Sequence, residues 1–287
     1  METRILSADQ MDTLVQDLHH DGVVAFPTDT VYGLAVRIAS ELAIQKLTQA
    51  KNRPQDKPYP LLVSSLAQIE SFAQLTHRDR ALIQQWMPGS VTFVFRKRPE
   101  SNTGYFAEST TIAFRMPTDQ WIKTLLDKLG EPLLLTSANI SGEPASVNSD
   151  EVLASLNGKI DCVIEGKAGG GIPSTIIDAT AHNLKLIREG EITMTTIEQK
   201  SKTIAIACDH GAYPHKEAIK ARMIELGYAV EDFGTFDGVA VDYPDTVYPA
   251  AKSVSNGENT WGIVLCGTGI GASITANKVK GIRCALV

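Results

Sequence analysis

The feature that most constrains this chain is a repeated change of hydrophobic period. Short apolar runs alternate with longer stretches in which apolar residues recur every three or four positions. Gly22 to Phe26, Leu61 to Val63, Val91 to Arg96, Thr111 to Phe114, Leu133 to Thr136, Cys162 to Glu165, Ser174 to Asp178 and Leu184 to Arg188 read as strands. Helical spacing fills the gaps between them: Leu6 to His20 around Met11, Leu14 and Leu18, then Glu41 to Ala50, Arg78 to Trp86, Gln120 to Leu129 and Ser149 to Leu156. Ser149, followed by Asp150 and Glu151, reads as a helix start, because acidic groups there meet unpaired backbone donors. The alternation predicts a twisted α/β domain whose sheet is mixed.

The pattern restarts after a polar bridge, Glu198 to Lys202. A strand from Thr203 to Ala207, a helix from Pro214 to Leu226, a strand from Tyr228 to Phe233, a helix near Pro249 to Val254, a strand from Trp261 to Cys266 and a helix opening at Gly271 come next in order. Such a series predicts a doubly wound parallel sheet of Rossmann-like type, here truncated. At 287 residues the chain exceeds the usual domain of about 100 to 200, so two domains are expected, 1–199 and 200–287.

Composition narrows the function classes. The chain is 43% apolar and 21% charged, the balance of a folded soluble protein. No run approaches the roughly 18 apolar residues of a membrane helix, and the first ten residues lack a secretory pattern, so no membrane role and a cytoplasmic location are expected. Cys162, Cys208, Cys266 and Cys284 show no close pairing and are expected to be reduced thiols. A net charge of -6 argues against tight nonspecific nucleic-acid binding, while leaving room for a local basic pocket.

Two apolar runs end in tight polar loops, FPTDTVYG at 26–33 and LLLTSANISG at 133–142. Between them lie Lys51, Arg53 and Lys57 in a proline-stiffened loop, and Arg115 at a strand end; Arg188 ends a later strand. Convergent cations on rigid supports suit a polyphosphate and the charge that builds on it during displacement. No GxxxxGK[ST] loop occurs, so the phosphates must be held otherwise. Taken singly, each piece has a plainer explanation: a solvated basic loop, turn-forming Ser137, Asn139 and Thr30, and a packed Tyr32 with a bonded hydroxyl.

In combination and order, PTDTVYGL at 27–34, KNRPQDKP at 51–58, MPGSVT at 87–92, the Arg115 run, TSANISGEP at 136–144, PSTIID at 173–178 and LIREG at 186–190 closely resemble the YrdC family, the threonylcarbamoyl-AMP synthases. The resemblance covers about residues 7–195 and includes the lysine-x-arginine and serine-x-asparagine signatures. It implies that L-threonine, bicarbonate and ATP become L-threonylcarbamoyladenylate and pyrophosphate, for later transfer to tRNA adenosine by a threonylcarbamoyl-transferase complex. By resemblance, Thr30, Arg115, Ser137 and Ser174 hold threonine, while Arg53, Lys57, Thr111, Asn139 and Arg188 hold ATP. Lys51 and Arg53 add the charge that assists displacement, and magnesium arrives with ATP, since no dedicated ligand cluster is evident. Two departures stand out: Tyr59 and Pro60 displace a histidine common in the family, and Val147 replaces a common hydroxyl residue. Neither removes a charge.

The second region carries ACDHGAY at 207–213, DFGT at 232–235, VDYP at 241–244, CGTGIG at 266–271 and ANKVKGIRCAL at 276–286. This set resembles the amino-terminal part of type B ribose-5-phosphate isomerases. The resemblance implies that Asp209 and His210 bind sugar, that Cys266 accepts a proton, and that Gly267, Thr268, Gly269, Ile270 and Gly271 cradle an enediolate. The glycine run also fits a dinucleotide pattern, but no acidic residue lies about 20 positions further on. With part of the isomerase pattern missing, no useful isomerase activity is expected. Rival readings are a noncatalytic nucleotide- or RNA-binding module, a bifunctional protein with isomerase activity, and a carboxyl-terminal piece that makes a homodimer.

Overall fold

The computed structural model describes residues 2–54, 57–101, 104–181, 183–200 and 203–287, with backbone alone at 199 and 200. Ser201 and Lys202, the end of the expected polar bridge, and His182 lie outside the described residues. In chain order the first elements are β1 (Arg4–Leu6), α1 (Met11–His19), β2 (Val24–Phe26), β3 (Gly33–Arg37), α2 (Glu41–Lys51), β4 (Leu61–Leu62), α3 (Leu66–Phe72), α4 (His77–Trp86) and β5 (Val91–Arg96). They continue with β6 (Thr111–Arg115), α5 (Gln120–Leu129), β7 (Leu133–Ser137), α6 (Ser149–Leu156), β8 (Cys162–Ile164), β9 (Thr175–Asp178), β10 (Lys185–Arg188) and α7 (Met194–Lys200).

The ten strands form one sheet in the order β1-β8-β2-β3-β7-β4-β6-β5-β9-β10. Parallel pairs such as β4 with β6 and β5 with β9 sit beside antiparallel pairs such as β3 with β7, so the sheet is mixed, as expected. Helices α1 and α5 lay Met11, Leu14, Leu18, Ile122, Leu125 and Leu126 against Val24, Phe26, Ala35, Leu62, Leu133 and Leu135. Each of the fully buried Leu, Ile, Val and Phe side chains among them stabilises the fold by about 1.5–3 kcal/mol relative to exposure.

Several expectations need correction. The first helix begins at Met11 rather than Leu6, because Arg4–Leu6 pairs with β8 and buries Leu6 as a strand residue. The sixth helix does begin at Ser149, as expected, with Asn148 as its cap, the Asn148 side chain accepting from Glu151 N at 2.9 Å. Gly33–Arg37 is a strand that the sequence reading did not assign.

The second set comprises β11 (Thr203–Cys208), α8 (Tyr213–Glu225), β12 (Ala229–Asp232), α9 (Tyr243–Ser255), β13 (Trp261–Leu265) and α10 (Ile270–Asn277). Its strands form a parallel sheet in the order β12-β11-β13. Its ninth helix starts at Tyr243 instead of near Pro249, with Pro244 in the first turn, where a missing N–H costs nothing, and Pro249 inside. Two compact units result: 1–74, 86–180 and 185–193 in one, 75–85, 181–184 and 194–287 in the other. The segment 75–85, most of α4, thus groups with the second unit.

Candidate active site

Side chains alternate across a strand, so residues two apart share a face. On one face of the large sheet this brings Thr92 and Val94 of β5, Ala113 and Arg115 of β6, Leu135 and Ser137 of β7, and Ser174 with Ile176 of β9 around a cavity of about 550 Å³. Arg53, Lys57 and Arg188 also line it, with Thr28 and Gly33 from the first polar loop. The alternate residues, Phe93, Phe95 and Phe114, stack among themselves.

Arg115 is 6% exposed. Its Nη2 donates to Asp29 Oδ1 at 2.6 Å, while Nε is buried without a partner among the described residues. Burial lowers its pKa and the Asp29 charge opposes that fall. Arg188 donates through Nε and Nη2 to the Ser174 carbonyl at 3.2 and 2.7 Å, and through Nη2 to Ser174 Oγ at 3.3 Å. Its pKa is lowered by burial and then by the charges of Arg115 and Arg53, the electrostatic sign of a cluster of like cations. Ser174 Oγ meets Thr92 Oγ1 at 2.8 Å, both residues being buried. Arg53 is shaped by its own loop: Nε donates to Lys57 O and Nη2 to Pro58 O, each at 3.0 Å, with the guanidinium 4.6 Å from the Tyr59 ring centre.

Four predicted site residues stand back from the cavity lining. Lys51 is 1% exposed, its Nζ donating to Ser137 O at 2.5 Å and Asn139 O at 2.6 Å. Burial, then the Arg53 charge, bring its pKa down to about 7. Asn139 spends its amide on Ile140 O and Glu143 O at 2.9 and 2.7 Å. Lys51 and Asn139 therefore link the two signatures through the backbone of one turn. Thr30 is buried, and its hydroxyl meets Thr28 Oγ1 at 3.1 Å. Thr111 starts the strand that carries Ala113 and Arg115 and is half-buried. Tyr32 is packed, donating its hydroxyl to Ile164 O at 2.9 Å, as expected of a structural tyrosine. Sequence reading missed Asp29 and Thr92, because each resembles an ordinary turn or strand residue; the one signal was their place in PTDT and PGSVT.

In the second unit, Asp209 accepts Ala212 N at 3.0 Å and Gly267 N at 3.4 Å, and His210 Nδ1 lies 3.2 Å from Val241 O. Cys266 closes this strand end. Burial pushes its thiol up, but backbone N–H groups of Ala272, Thr268, Gly269 and Gly271 outweigh that and lower its pKa. Gly269 has φ +73, and a Cβ there would come within 2.5 Å of Leu286 Cδ1. Ile270 opens α10. Among the described residues no group of three or more His, Cys, Asp or Glu could hold a metal ion, and no helix is long and apolar enough to cross a membrane.

The sequence model of the Sua5/YciO/YrdC family, described as "Telomere recombination", matches residues 16–190. The chain belongs to this family. Two Sua5/YrdC-type relatives are the threonylcarbamoyl-AMP synthases of Pyrococcus abyssi, 35% identical over 182 residues, and of Bacillus subtilis, 32% over 184. These matches cover 62% and 63% of this chain and 53% of each relative, so the chain spans about half the length of the curated relatives it matches. A model described as "Ribose/Galactose Isomerase" matches residues 204–287. A crystal structure of P. abyssi Sua5 complexed with L-threonine aligns with a TM-score of 0.62 at 22% identity, covering 92% of this chain and 91% of that one.

Proposed function

We propose that the chain is an L-threonylcarbamoyladenylate synthase, a nucleotidyltransferase that serves tRNA threonylcarbamoyladenosine formation. The observation that carries this reading is the cavity where Arg53, Lys57, Arg115 and Arg188 converge over the hydroxyls of Ser137, Ser174 and Thr92. Such a site suits two anions, an amino-acid carboxylate and a polyphosphate. Arg115 and Ser174 hold L-threonine, with Ser137 and Thr30. Arg53, Lys57 and Arg188 hold the phosphates of ATP, which enters as its magnesium complex; Thr111 and Asn139 complete that side.

The chemistry needs no enzyme nucleophile. The threonine nitrogen takes the carbon of bicarbonate, water leaves, and an N-carboxylate results. One carboxylate oxygen then attacks the α-phosphorus as the bond to the bridging oxygen breaks and pyrophosphate departs. Catalysis is positioning plus stabilisation of charge on the phosphoryl oxygens. Lys51 acts by holding the Ser137 and Asn139 carbonyls rather than by touching phosphate. In this reading the reaction is cytoplasmic and the product passes to a tRNA threonylcarbamoyl-transferase complex. Mass spectrometry after incubation with ATP, L-threonine and carbon-13 bicarbonate tests this: threonylcarbamoyl-AMP carrying one heavy carbon is expected, and ATP consumed without that species contradicts it.

A further inference from the structure

A buried guanidinium is useful to a ligand only if its direction is fixed and its charge is balanced when the ligand is away. Arg115 meets both conditions through one residue. Asp29 Oδ1 accepts Arg115 Nη2 at 2.6 Å, and Asp29 Oδ2 faces Thr118, whose Oγ1 and N lie at 3.2 and 3.4 Å. Arg115 lines the cavity; Asp29 stands behind it, its side chain 14% exposed.

Asp29 is itself held hard. Gly169 N donates to Thr28 O at 2.9 Å, and Gly170 N and Gly171 N both donate to Thr30 O, at 3.1 and 2.7 Å. Thr28 Oγ1 closes the turn on Val31 O at 2.7 Å. A Cβ on Gly169 would come within 2.7 Å of Asp29 O, so glycine is what lets this second loop press so close. Nε is buried too, with no hydrogen-bond partner among the described residues.

We propose that Asp29 is a positioning residue: by holding Nη2 it fixes the direction in which the cavity-lining guanidinium of Arg115 meets the carboxylate of the amino-acid substrate. The assignment rests on the synthase reading and deepens it, since it names the group that gives the amino-acid half of the site its direction. Asp29 touches neither substrate nor phosphate; it acts through Arg115.

The test is calorimetric titration of the full chain with L-threonine and, separately, with ATP, for the wild type, Asp29→Ala and Asp29→Asn. Asp29→Ala is expected to weaken threonine binding by roughly tenfold or more while ATP binding stays within about twofold. Asp29→Asn keeps an acceptor for Nη2 without the charge and should fall between Asp29→Ala and the wild type. Threonine affinity unchanged or raised in Asp29→Ala would overturn the proposal, the latter by showing that Asp29 competes with the substrate for Arg115. Equal loss of threonine and ATP affinity would overturn it too, by reducing Asp29 to a general structural residue. Should Asp29→Ala not fold, Gly169→Ala, which displaces the same turn from behind, must produce the threonine-selective loss. Wild-type protein that binds ATP but no threonine would remove the synthase reading itself and this inference with it.

Discussion

At the scale of single residues, Arg53 and Lys51 divide the work of the lysine-x-arginine pair in a way their spacing alone does not reveal. Arg53 lines the cavity, so Arg53→Ala should lower adenylate formation by about 100-fold or more while leaving the thermal melt in place, as for loss of one preorganised donor; near-normal turnover would contradict its role. Lys51 makes a different prediction. Its folded pKa of about 7 lies below the ordinary 10.5, so between those values the unfolded chain binds a proton that the fold has released. Stability from this group therefore rises with pH across that window. Urea unfolding should show the wild type's margin over Lys51→Met widening by about 2 kcal/mol from pH 6.5 to 8.5; a margin independent of pH would refute the burial account. The cations were legible in the sequence. Their division was not, because a lysine in a basic loop reads as solvated until Ser137 and Asn139 close over it.

At the scale of elements, the strands and helices with a clear period were read at their true limits: Val91–Arg96 as a strand and Gln120–Leu129 and Ser149–Leu156 as helices. The strand Gly33–Arg37 was missed because its first four residues are all buried, which erases the alternation that marks a one-sided strand. It lies between β2 and β7, so it sets Gly33 opposite Ser137 and thereby the width of the cavity. The helix Gln120–Leu129 depends on its cap, Asp119, which accepts from Trp121 N at 2.8 Å and Ile122 N at 3.4 Å. Asp119→Ala is expected to cost about 1 kcal/mol in urea unfolding, and Leu126→Ala, at a fully buried site on the same helix, about 2–5 kcal/mol. A Leu126→Ala variant as stable as Asp119→Ala would show that this helix is not seated on the sheet as described.

At the scale of the whole molecule, a chain of net charge -6 gathers Arg53, Lys57, Arg115 and Arg188 at one cavity, a segregation that favours a small polyanion over long nucleic acid. Which segments build each compact unit could not be read from the sequence: residues 75–85 group with a unit whose main body begins over a hundred positions later, and contacts at such separation leave no local pattern. The Cys266 to Gly271 turn has the donors that lower a thiol pKa, yet Leu286 lies against Gly269 at its surface. Purified protein is accordingly expected to convert no ribose 5-phosphate; steady aldose-to-ketose conversion above a Cys266→Ala control would contradict that. The central claim is tested most directly by pyrophosphate release from the purified full-length chain with ATP and bicarbonate, with and without L-threonine. The account predicts release that depends on threonine and is lost in Arg53→Ala. Release that ignores threonine, or bound ATP with no release at all, would contradict it.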